Sequence, residues 1–520
     1  MIRISALLLV LLFGRANADP ARMASGMPAF DQRLATEVYA TALSFMAPRT
    51  LDPVPISQLT IWGLRGLTAL DPMVGTDTRE GHLRLIVSNR PAFEILAPRD
   101  EDPRNWASAA ATLASAATDA SAAIRAAGTR GVIQNFFDEL FNHLDPYSRY
   151  VGPAEATEDR DQRNGAAGIG LTLSPPRGAA PPAVRTVTSD SPAAMAGIRA
   201  GDLLLSVDGQ PTRGRDVAAV MRSIAGTEGT LVTVEWRGRD GRVRRQQLTR
   251  MIVPPDTVFA ARSGEMLVVR ITAFNYGTST HLSRVLQQEL GSPRAPAGLV
   301  LDLRGNRGGL LRQAVSAADM LLPEGVVAYT VGRDPAAAHV WMSGSGELAE
   351  EMPVVIIVDG RTASAAEVLA AALADRGRAV VIGSTTLGKG LVQTISPLPD
   401  GGELFVTWSR ILAPRLWPLQ GLGVMPQVCT SIGTDALHRQ LAALANGVQP
   451  MQAAVGATRA ARAPLTPAQV LALRAPCPAA EGREIDMEAA RVLVDNPAAY
   501  AAALLPPMSL RQSAAVPAGH

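Results

Sequence analysis

The stretch VVIIVDGRTASAAEVLAAAL, residues 354–373, combines features that decide the fold class. Its first five residues are apolar without alternation, which is typical of a strand buried on both faces. A polar turn follows, and the remainder has the apolar spacing and alanine content of a helix. Similar apolar runs begin at residues 266, 298 and 379, with helical patterns between them. The pattern predicts an α/β domain whose sheet is covered by helices on both sides.

The sequence pattern changes on either side of this domain. Residues 165–253 contain short alternating strands with glycine turns and one helix, which predicts a compact β-rich domain. Residues 30–70 and 107–144 have apolar residues at helical spacing, while residues 91–104, with prolines and charges, are predicted to separate them. Together these changes predict a multidomain α/β protein: a mainly helical region at 19–160, a β-rich domain at 161–254, an α/β domain at 255–430 and a helical carboxyl-terminal region at 431–520.

The first eighteen residues have the composition of a secretory signal. Arg3 precedes an apolar run of ten residues, and Ala16, Asn17 and Ala18 form a small-residue cleavage site. That run is too short to cross a bilayer, which takes about 20 residues, and no later segment sustains one without charges. We therefore expect an exported protein, periplasmic or otherwise extracytoplasmic, that is soluble after signal cleavage and has no transmembrane segment in the mature chain.

Charge and cysteine content limit the classes of partner. The 49 basic and 47 acidic residues are spread along the chain and give a net charge of +2, so nothing favours nucleic acid or a membrane surface. Cys429 and Cys477 are the two cysteines, and in an oxidising compartment either a disulfide or two separately buried thiols fit. Without clustered histidines they make a poor zinc site, and the sequence implies no metal or cofactor.

Three clusters that could carry chemistry each follow a predicted buried strand. Ser364 lies where a strand passes into a helix, beside N–H groups that could stabilise an oxyanion, although a simple helix cap is the alternative. Lys389 lies between Gly388 and Gly390, which let the backbone turn tightly. A desolvated amine loses its charge more readily and can take a proton from a serine; a solvated surface lysine is the alternative. Residues 301–309 form a glycine-rich turn, either an anion-binding nest or an ordinary connection.

Two other chemistries fit these residues less well. Gly383, Gly388 and Lys389 match the phosphate-binding pattern GxxxxGK, but Gly390 supplies no hydroxyl for magnesium, and residues 391–399 lack the helical pattern that such a loop requires. A histidine triad has no GxSxG motif to support it, and the six histidines are scattered. A Ser–Lys pair needs no histidine.

Taken in order, the three clusters resemble the carboxyl-terminal processing proteases, also called tail-specific proteases, which use a Ser–Lys dyad. The nucleophile motif of that family matches residues 362–367 with its serine at Ser364. Its lysine motif matches residues 388–390, its glutamine matches Gln393, and its oxyanion turn matches residues 302–309. Motifs resembling the entry to a PDZ domain and the PDZ signature itself occur upstream, as LDPYSRY at 144–150, GIGL at 168–171 and SPAAMAGIRAGD at 191–202.

The resemblance implies a role for each matched residue. Ser364 would be the nucleophile and Lys389 its general base, held by Gln393, while the N–H groups of Ala365 and Gly309 would form the oxyanion hole. The catalytic domain would have a crotonase-like or Clp-protease-like α/β fold. The PDZ loop would bind the terminal carboxylate of protein substrates with apolar carboxyl-terminal tails, through Gly168, Ile169, Gly170 and Leu171.

The expected function is that of an exported serine endopeptidase that binds protein tails through its PDZ domain and hydrolyses peptide bonds. The alternative is a non-catalytic PDZ scaffold or adaptor built on an inactive protease fold. A degenerate site would usually have lost one of its residues, whereas Ser364, Lys389 and Gln393 are all present. Whether the chain forms a homo-oligomer or binds an adaptor protein stays open at this point.

Overall fold

A computed structural model describes residues 29–176, 178, 180–344, 346–350 and 352–507. The predicted signal at residues 1–18 lies outside the described residues. The chain divides into two compact units. The first contains residues 29–47, 53–150 and 396–404, and the second contains residues 48–52, 151–395 and 405–507, with the gaps given above.

The first unit is mainly helical but also contains a small sheet. Its elements are α1 (Gln32–Met46), α2 (Ile56–Arg65), α3 (Leu67–Leu70), β1 (Val74–Arg79), β2 (His82–Val87), β3 (Arg90–Leu96), α4 (Pro103–Ala120) and α5 (Ala122–Asn142), which has a kink at Gly128. Both predicted helical blocks are present. Residues 91–102 lie between these blocks, as predicted, although the first of them belong to β3. Pro91 is tolerated there since β3 is an edge strand of the antiparallel sheet β1–β2–β3.

The β-rich domain follows in the chain. Its elements, with the short segments that precede it, are β4 (Arg149–Val151), α6 (Pro153–Asn164), β5 (Ala166–Gly168), β6 (Leu171–Ser174), β7 (Ala183–Val187), α7 (Pro192–Met195), β8 (Leu203–Val207), β9 (Gln210–Pro211), α8 (Val217–Ile224), β10 (Leu231–Arg237), β11 (Val243–Thr249) and β12 (Met251–Val253). Its main sheet has the order β11–β10–β8–β7–β6, so β6 lies at the edge. Leu171 and Leu173 of β6 share a core with Val220 and Ile224 of α8.

One strand prediction in this domain was wrong. The sequence pattern of residues 246–252 predicts a single strand, but the structure has two strands, β11 and β12, with Arg250 between them. The Arg250 side chain turns inward, where its Nε donates to Ile224 O (2.8 Å) and its Nη1 donates to Leu231 O (2.8 Å). The strand is interrupted at this residue, and β12 pairs with β5 instead of extending the main sheet.

The α/β domain and the helices after it follow in the chain. They comprise β13 (Val258–Ser263), β14 (Met266–Ile271), α9 (Thr278–Leu290), β15 (Gly298–Asp302), α10 (Leu311–Asp319), β16 (Gly325–Val331), a 3₁₀ turn (Pro335–Ala337), β17 (His339–Ser343), β18 (Val354–Val358), α11 (Ala365–Asp375), β19 (Val380–Gly383), β20 (Leu391–Pro397), β21 (Glu403–Leu412), β22 (Val428–Cys429), α12 (Thr434–Ala445), α13 (Gln452–Ala460), α14 (Pro467–Arg474), α15 (Ile485–Asp495) and α16 (Pro497–Ala503). Throughout the described residues, no helix is both long and apolar enough to cross a bilayer.

The central sheet explains why its strands are apolar without alternation. Its order is β13–β14–β15–β18–β19–β22, and every pair from β14 to β22 is parallel. Val354, Ile356 and Val358 pack on one face with α10 and α11, whereas Val355 and Ile357 pack on the other face with α12 and α15. Both faces are therefore buried, as predicted. The loops that follow β15, β18 and β19 leave the same edge of the sheet, where open α/β sheets form their sites.

The two cysteines form a disulfide. Cys429 and Cys477 are both fully buried, and the bridge joins the end of β22 to the segment after α14. This outcome decides between the two alternatives left open by the sequence. A loop of 48 residues corresponds to about 4 kcal/mol of stabilisation in the chain-entropy treatment.

Candidate active site

Three loops meet at the carboxyl edge of the central sheet. We call them the glycine turn (residues 303–310, after β15), the serine turn (359–364, after β18) and the lysine loop (384–390, after β19). The serine and glycine turns are joined by hydrogen bonds: Ala363 N donates to Asn306 O (2.9 Å), and Thr362 Oγ1 donates to Leu303 O (2.9 Å). Each predicted chemical cluster thus lies in one of these loops.

Ser364 has a strained backbone. Its φ of 57° and ψ of −121° lie in a region that residues other than glycine rarely adopt and that costs about 1–3 kcal/mol. A serine that only caps a helix has an extended backbone, so the simple-cap alternative does not explain this conformation. A sharp, strained strand-to-helix turn is how hydrolases with a nucleophile elbow expose their serine. Ser364 immediately precedes α11, and it is half-buried.

The glycine turn packs directly on Ser364. A Cβ atom at Gly308 would lie 2.8 Å from Ser364 Cβ and 3.0 Å from Ala365 N, so a side chain is excluded there. A Cβ atom at Gly309 would lie 2.1 Å from Phe274 O. Phe274 N donates to Gly308 O (2.9 Å), and since peptides are trans, the Gly309 N–H points away from Phe274. The structure therefore packs the glycine turn, at Gly308, against the backbone at Ser364 and Ala365.

Glu367 connects the serine turn to the lysine loop, a role that was not predicted from the sequence. Its side chain is fully buried and accepts four hydrogen bonds: from Ser364 N (2.7 Å), Lys389 N (2.9 Å), Gly388 N (2.7 Å) and Thr386 Oγ1. Burial raises the pKa of Glu367, and the four donors oppose that rise. The spacing of Glu367 from Ser364 matches a capping box, which could have revealed the first contact but not the other three.

Lys389 lies at the end of the lysine loop and is half-buried. Its backbone N and that of Ser364 donate to the same Glu367 oxygen, Oε2, so the two chain segments meet at one atom. The two flanking glycines are required because the backbone of residues 420 and 421 approaches them closely. A Cβ atom at Gly388 would lie 2.9 Å from Gly421 O, and one at Gly390 would lie 2.1 Å from Gln420 N.

Gln393 lies on β20, beyond the lysine loop. Its Nε2 donates to Leu391 O (3.2 Å) and Thr407 Oγ1 (3.1 Å).

Because residues 391–397 form a strand, the helix that a phosphate-binding loop requires is not there, and the nucleotide-binding alternative is wrong. Among the residues that the structure describes, no group of three or more His, Cys, Asp or Glu side chains could hold a metal ion.

An ion pair anchors the start of the glycine turn. The guanidinium of Arg304 donates to both oxygens of Asp302 (Nε 2.9 Å, Nη2 2.8 Å), and Arg270 adds a longer contact of 3.2 Å. Burial alone would raise the pKa of Asp302, but the hydrogen bonds and charge of Arg304, with the charge of Arg270, hold it below its usual value. Asp302 thus stays ionised at neutral pH and fixes Arg304 at the rim of the site.

The loop predicted to bind peptide tails lies beside the edge strand β6. Ile169 O accepts a hydrogen bond from Ala193 N (2.9 Å), and Gly170 O accepts one from Thr188 N (2.8 Å). Both carbonyls therefore point into the domain. Since peptides are trans, the N–H groups of Gly170 and Leu171 point the opposite way. Gly168 pairs with Met251 of β12, which holds the start of this loop.

Comparison with known proteins identifies both domains. Residues 265–430 match the model of peptidase family S41, and residues 184–238 match that of the PDZ domain. The carboxy-terminal-processing protease of Bartonella bacilliformis is 31% identical over 305 residues, covering 57% of this chain and 69% of that protein. The carboxyl-terminal-processing protease of Picosynechococcus sp. is 32% identical over 290 residues, covering 54% and 69%. Among solved structures, the photosystem II D1 C-terminal processing protease has 28% identity and a TM-score of 0.33, covering 59% of this chain and 86% of that one.

These matches define the class of protein as a peptidase with a PDZ domain. The chain belongs to peptidase family S41, together with the carboxyl-terminal-processing proteases. It is therefore a serine-type peptidase, and the hypothesis of a non-catalytic scaffold is not favoured.

Proposed function

We propose that the protein is an exported endopeptidase in which Ser364 is the nucleophile and Lys389 the general base, and whose PDZ domain binds the carboxyl-terminal tails of substrates. One observation carries the catalytic part of the proposal. The strained Ser364 and the loop that bears Lys389 are joined through a single buried carboxylate, that of Glu367. We assign residues 161–254 to the PDZ domain and residues 255–430 to the protease domain, with a crotonase-like or Clp-protease-like fold supported by its parallel sheet.

The composition of the chain gives independent support for Lys389. It is the only lysine in the sequence, so the other 48 of the 49 basic residues are arginines. Arginine matches lysine in charge but does not lose its proton in proteins, so it cannot act as a base. Lysine at this one position, with arginine at every other basic position, supports a role that needs a side chain able to lose its proton.

The proposed reaction uses groups from all three loops. Neutral Lys389 takes the Ser364 proton as Oγ attacks the scissile carbonyl carbon, and the carbonyl oxygen becomes an oxyanion. The N–H groups of Ala365 and Gly309 then donate to that oxyanion. The lysine ammonium returns the proton to the departing amine, leaving an acyl-enzyme. Lys389 next activates water to release the acid product and free Ser364.

Gln393 is proposed to orient the lysine through one specific atom. Its Nε2 already donates to Thr407 and Leu391, and an amide nitrogen is not an acceptor. Only Oε1 can accept a hydrogen bond from the amine of Lys389, so the orienting role falls to that oxygen.

The PDZ domain is proposed to capture substrates by strand addition. β6 is an edge strand, and α8 packs beside it, so an extended peptide can pair with β6 along the groove between them. The outward N–H groups of Gly170 and Leu171 lie at the start of β6, where the terminal carboxylate would bind. Apolar side chains of the tail would contact the apolar surface of the groove.

Export is supported by the disulfide. Bridges such as that between Cys429 and Cys477 persist in oxidising compartments and are rare in the cytosol of mesophiles. Together with the signal-like residues 1–18, this favours the periplasm or another extracytoplasmic compartment as the site of action.

A serine-directed fluorophosphonate tests the nucleophile directly. The intact chain should be labelled at one serine, and Ser364→Ala should not be labelled, because only an activated hydroxyl reacts with the reagent. Ser343→Ala is the matched control and should label normally, since Ser343 is buried in β17 outside the three loops. Labelling of Ser364→Ala at another serine would place the nucleophile elsewhere. An intact chain that neither labels nor cleaves would restore the scaffold hypothesis.

Amidation of a peptide's carboxyl terminus tests tail recognition. Removing the terminal charge should weaken binding by about 1.5–3 kcal/mol, the usual contribution of a charge-assisted hydrogen bond, or about 10- to 150-fold in Kd. Isothermal titration with free and amidated forms of one apolar-ended peptide, on Ser364→Ala to prevent cleavage, measures the difference. Acetylating the amino terminus is the control and should change nothing. Equal affinity for free and amidated tails would contradict the proposed role of residues 168–171.

A further inference from the structure

One irregular segment touches all three loops of the site, and no comparison or sequence motif assigns it a role. It is residues 477–483, between α14 and α15, which we call the strap. At its start, Cys477 is bound covalently to Cys429, and Thr385 Oγ1 of the lysine loop donates to Cys477 O (2.6 Å). The strap is thus fixed to the sheet at the point where the lysine loop begins.

Ala480 joins the lysine loop to the serine turn. Its carbonyl oxygen accepts hydrogen bonds from Gly360 N (2.7 Å) and Ser384 Oγ (2.9 Å), and its N donates back to Ser384 Oγ (3.0 Å). Packing here is close, since a Cβ atom at Gly360 would lie 3.1 Å from both Ala479 Cβ and Ala480 N. One backbone unit therefore sets the spacing between the loop that bears Ser364 and the loop that bears Lys389.

The end of the strap holds the remaining loop. Gly482 N donates to Asp359 Oδ2 (3.3 Å) of the serine turn. Arg304 of the glycine turn donates from Nη1 to Arg483 O (2.7 Å), and its Cδ would lie 2.3 Å from a Cβ atom at Gly482. The same Nη1 contacts Asp486 Oδ2 (3.3 Å), just beyond the strap.

We propose that the strap is a positioning element of the peptidase: it holds the glycine turn, the serine turn and the lysine loop in register, and the Cys429–Cys477 disulfide fixes its end. This inference rests on the function proposed above. It assigns a positioning role to Ser384, whose hydroxyl makes two of the hydrogen bonds to Ala480 and which takes no part in the chemistry. Hydrolysis then depends on residues that do not contact the substrate.

Ser384→Ala is the variant that tests the strap, because it removes both hydroxyl contacts and keeps the disulfide. We expect kcat to fall at least about tenfold at unchanged KM, since small misplacements of catalytic groups lower the rate steeply. Fluorophosphonate should still label every molecule, but more slowly. Amide exchange at Gly360 should rise. Ser384→Thr keeps a hydroxyl and should restore rate and protection. Ser343→Ala removes a buried hydroxyl of β17 that donates to Pro323 O and Gly325 O, and it should behave as the wild type.

Each outcome decides the proposal. The proposal is overturned if amide exchange at Gly360 is unchanged in Ser384→Ala, or if that exchange rises while kcat stays at the wild-type value. It is also overturned if only a fraction of the molecules is labelled and that fraction is labelled at the wild-type rate, because this result indicates only misfolding. Cys429→Ser with Cys477→Ser is the second variant and should show the same loss of Gly360 protection. Failure of the strap would leave the labelling of Ser364 intact. If Ser364 were not the nucleophile, amide exchange at Gly360 would still test whether the strap holds the loops.

Discussion

Lys389→Arg is expected to lower kcat/KM about 10²- to 10⁴-fold, the usual contribution of a general base. The guanidinium keeps the positive charge and much of the length of lysine but does not lose its proton. The variant therefore removes basicity while preserving charge. In the wild type, activity should rise with pH as the Lys389 ammonium loses its proton, because only the neutral amine can accept the proton of Ser364. This rising limb should be missing from the variant.

The single lysine makes this prediction unusually direct to test. Reductive methylation with ¹³C-formaldehyde would mark Lys389 and the amino terminus only, so one side-chain NMR signal reports its titration. The midpoint of that signal should coincide with the rising limb of kcat/KM. Arg361→Lys, at an exposed position on the serine turn, is the control for adding a lysine nearby and should keep most activity. Appreciable activity of Lys389→Arg would mean that another group is the base.

Glu367→Gln should lower kcat by at least about 10²-fold and also destabilise the fold. All four partners of Glu367 donate to it. In glutamine one carboxylate oxygen is replaced by an amide nitrogen, which cannot accept, so at least one buried N–H group would be left without an acceptor. Each unsatisfied donor costs about 1–3 kcal/mol. The substitution preserves size, and the displacement of Ser364 relative to Lys389 by about 1 Å would suffice for the loss of rate. Urea unfolding and steady-state kinetics measure the two effects separately.

Glu289→Gln is the matched control for this variant. Glu289 is partly exposed and pairs with Arg262 (2.8 Å), and surface substitutions usually change stability by no more than about 0.5 kcal/mol. Kinetics of the control should match the wild type. If Glu367→Gln kept wild-type kcat, the carboxylate would not be what holds the two loops together, even if the variant were less stable.

The sequence predicted the scaffold of the site well because burial on two faces leaves a strong pattern. The strand at 354–358 has the predicted bounds, the strand at 266 begins where predicted, and Ser364 and Lys389 lie in the predicted loops. Parallel strands place such loops at one edge, so their proximity also followed from the fold class. What the pattern could not give was the backbone strain at Ser364, because φ and ψ leave no periodicity in the sequence.

Other features were missed because they depend on contacts between distant residues. The sheet β1–β3 has an edge strand containing proline, which normally argues against a strand. The break at Arg250 depends on carbonyls of α8 and β10. Three of the four contacts to Glu367 come from about twenty residues away, and the strap reaches loops more than ninety residues upstream. Local propensity carries none of this information.

For the exported enzyme proposed above, the disulfide would also determine when the site becomes fully active. A chain still in the reducing cytosol would carry free thiols at Cys429 and Cys477, so the end of the strap would be untethered and the three loops less well aligned. In the exported enzyme proposed above, full peptidase activity would be acquired only after translocation, when oxidation forms the bridge that holds the end of the strap. Newly made enzyme would thus be restrained from digesting cytosolic neighbours, and recombinant preparations would need an oxidising host compartment to be fully active.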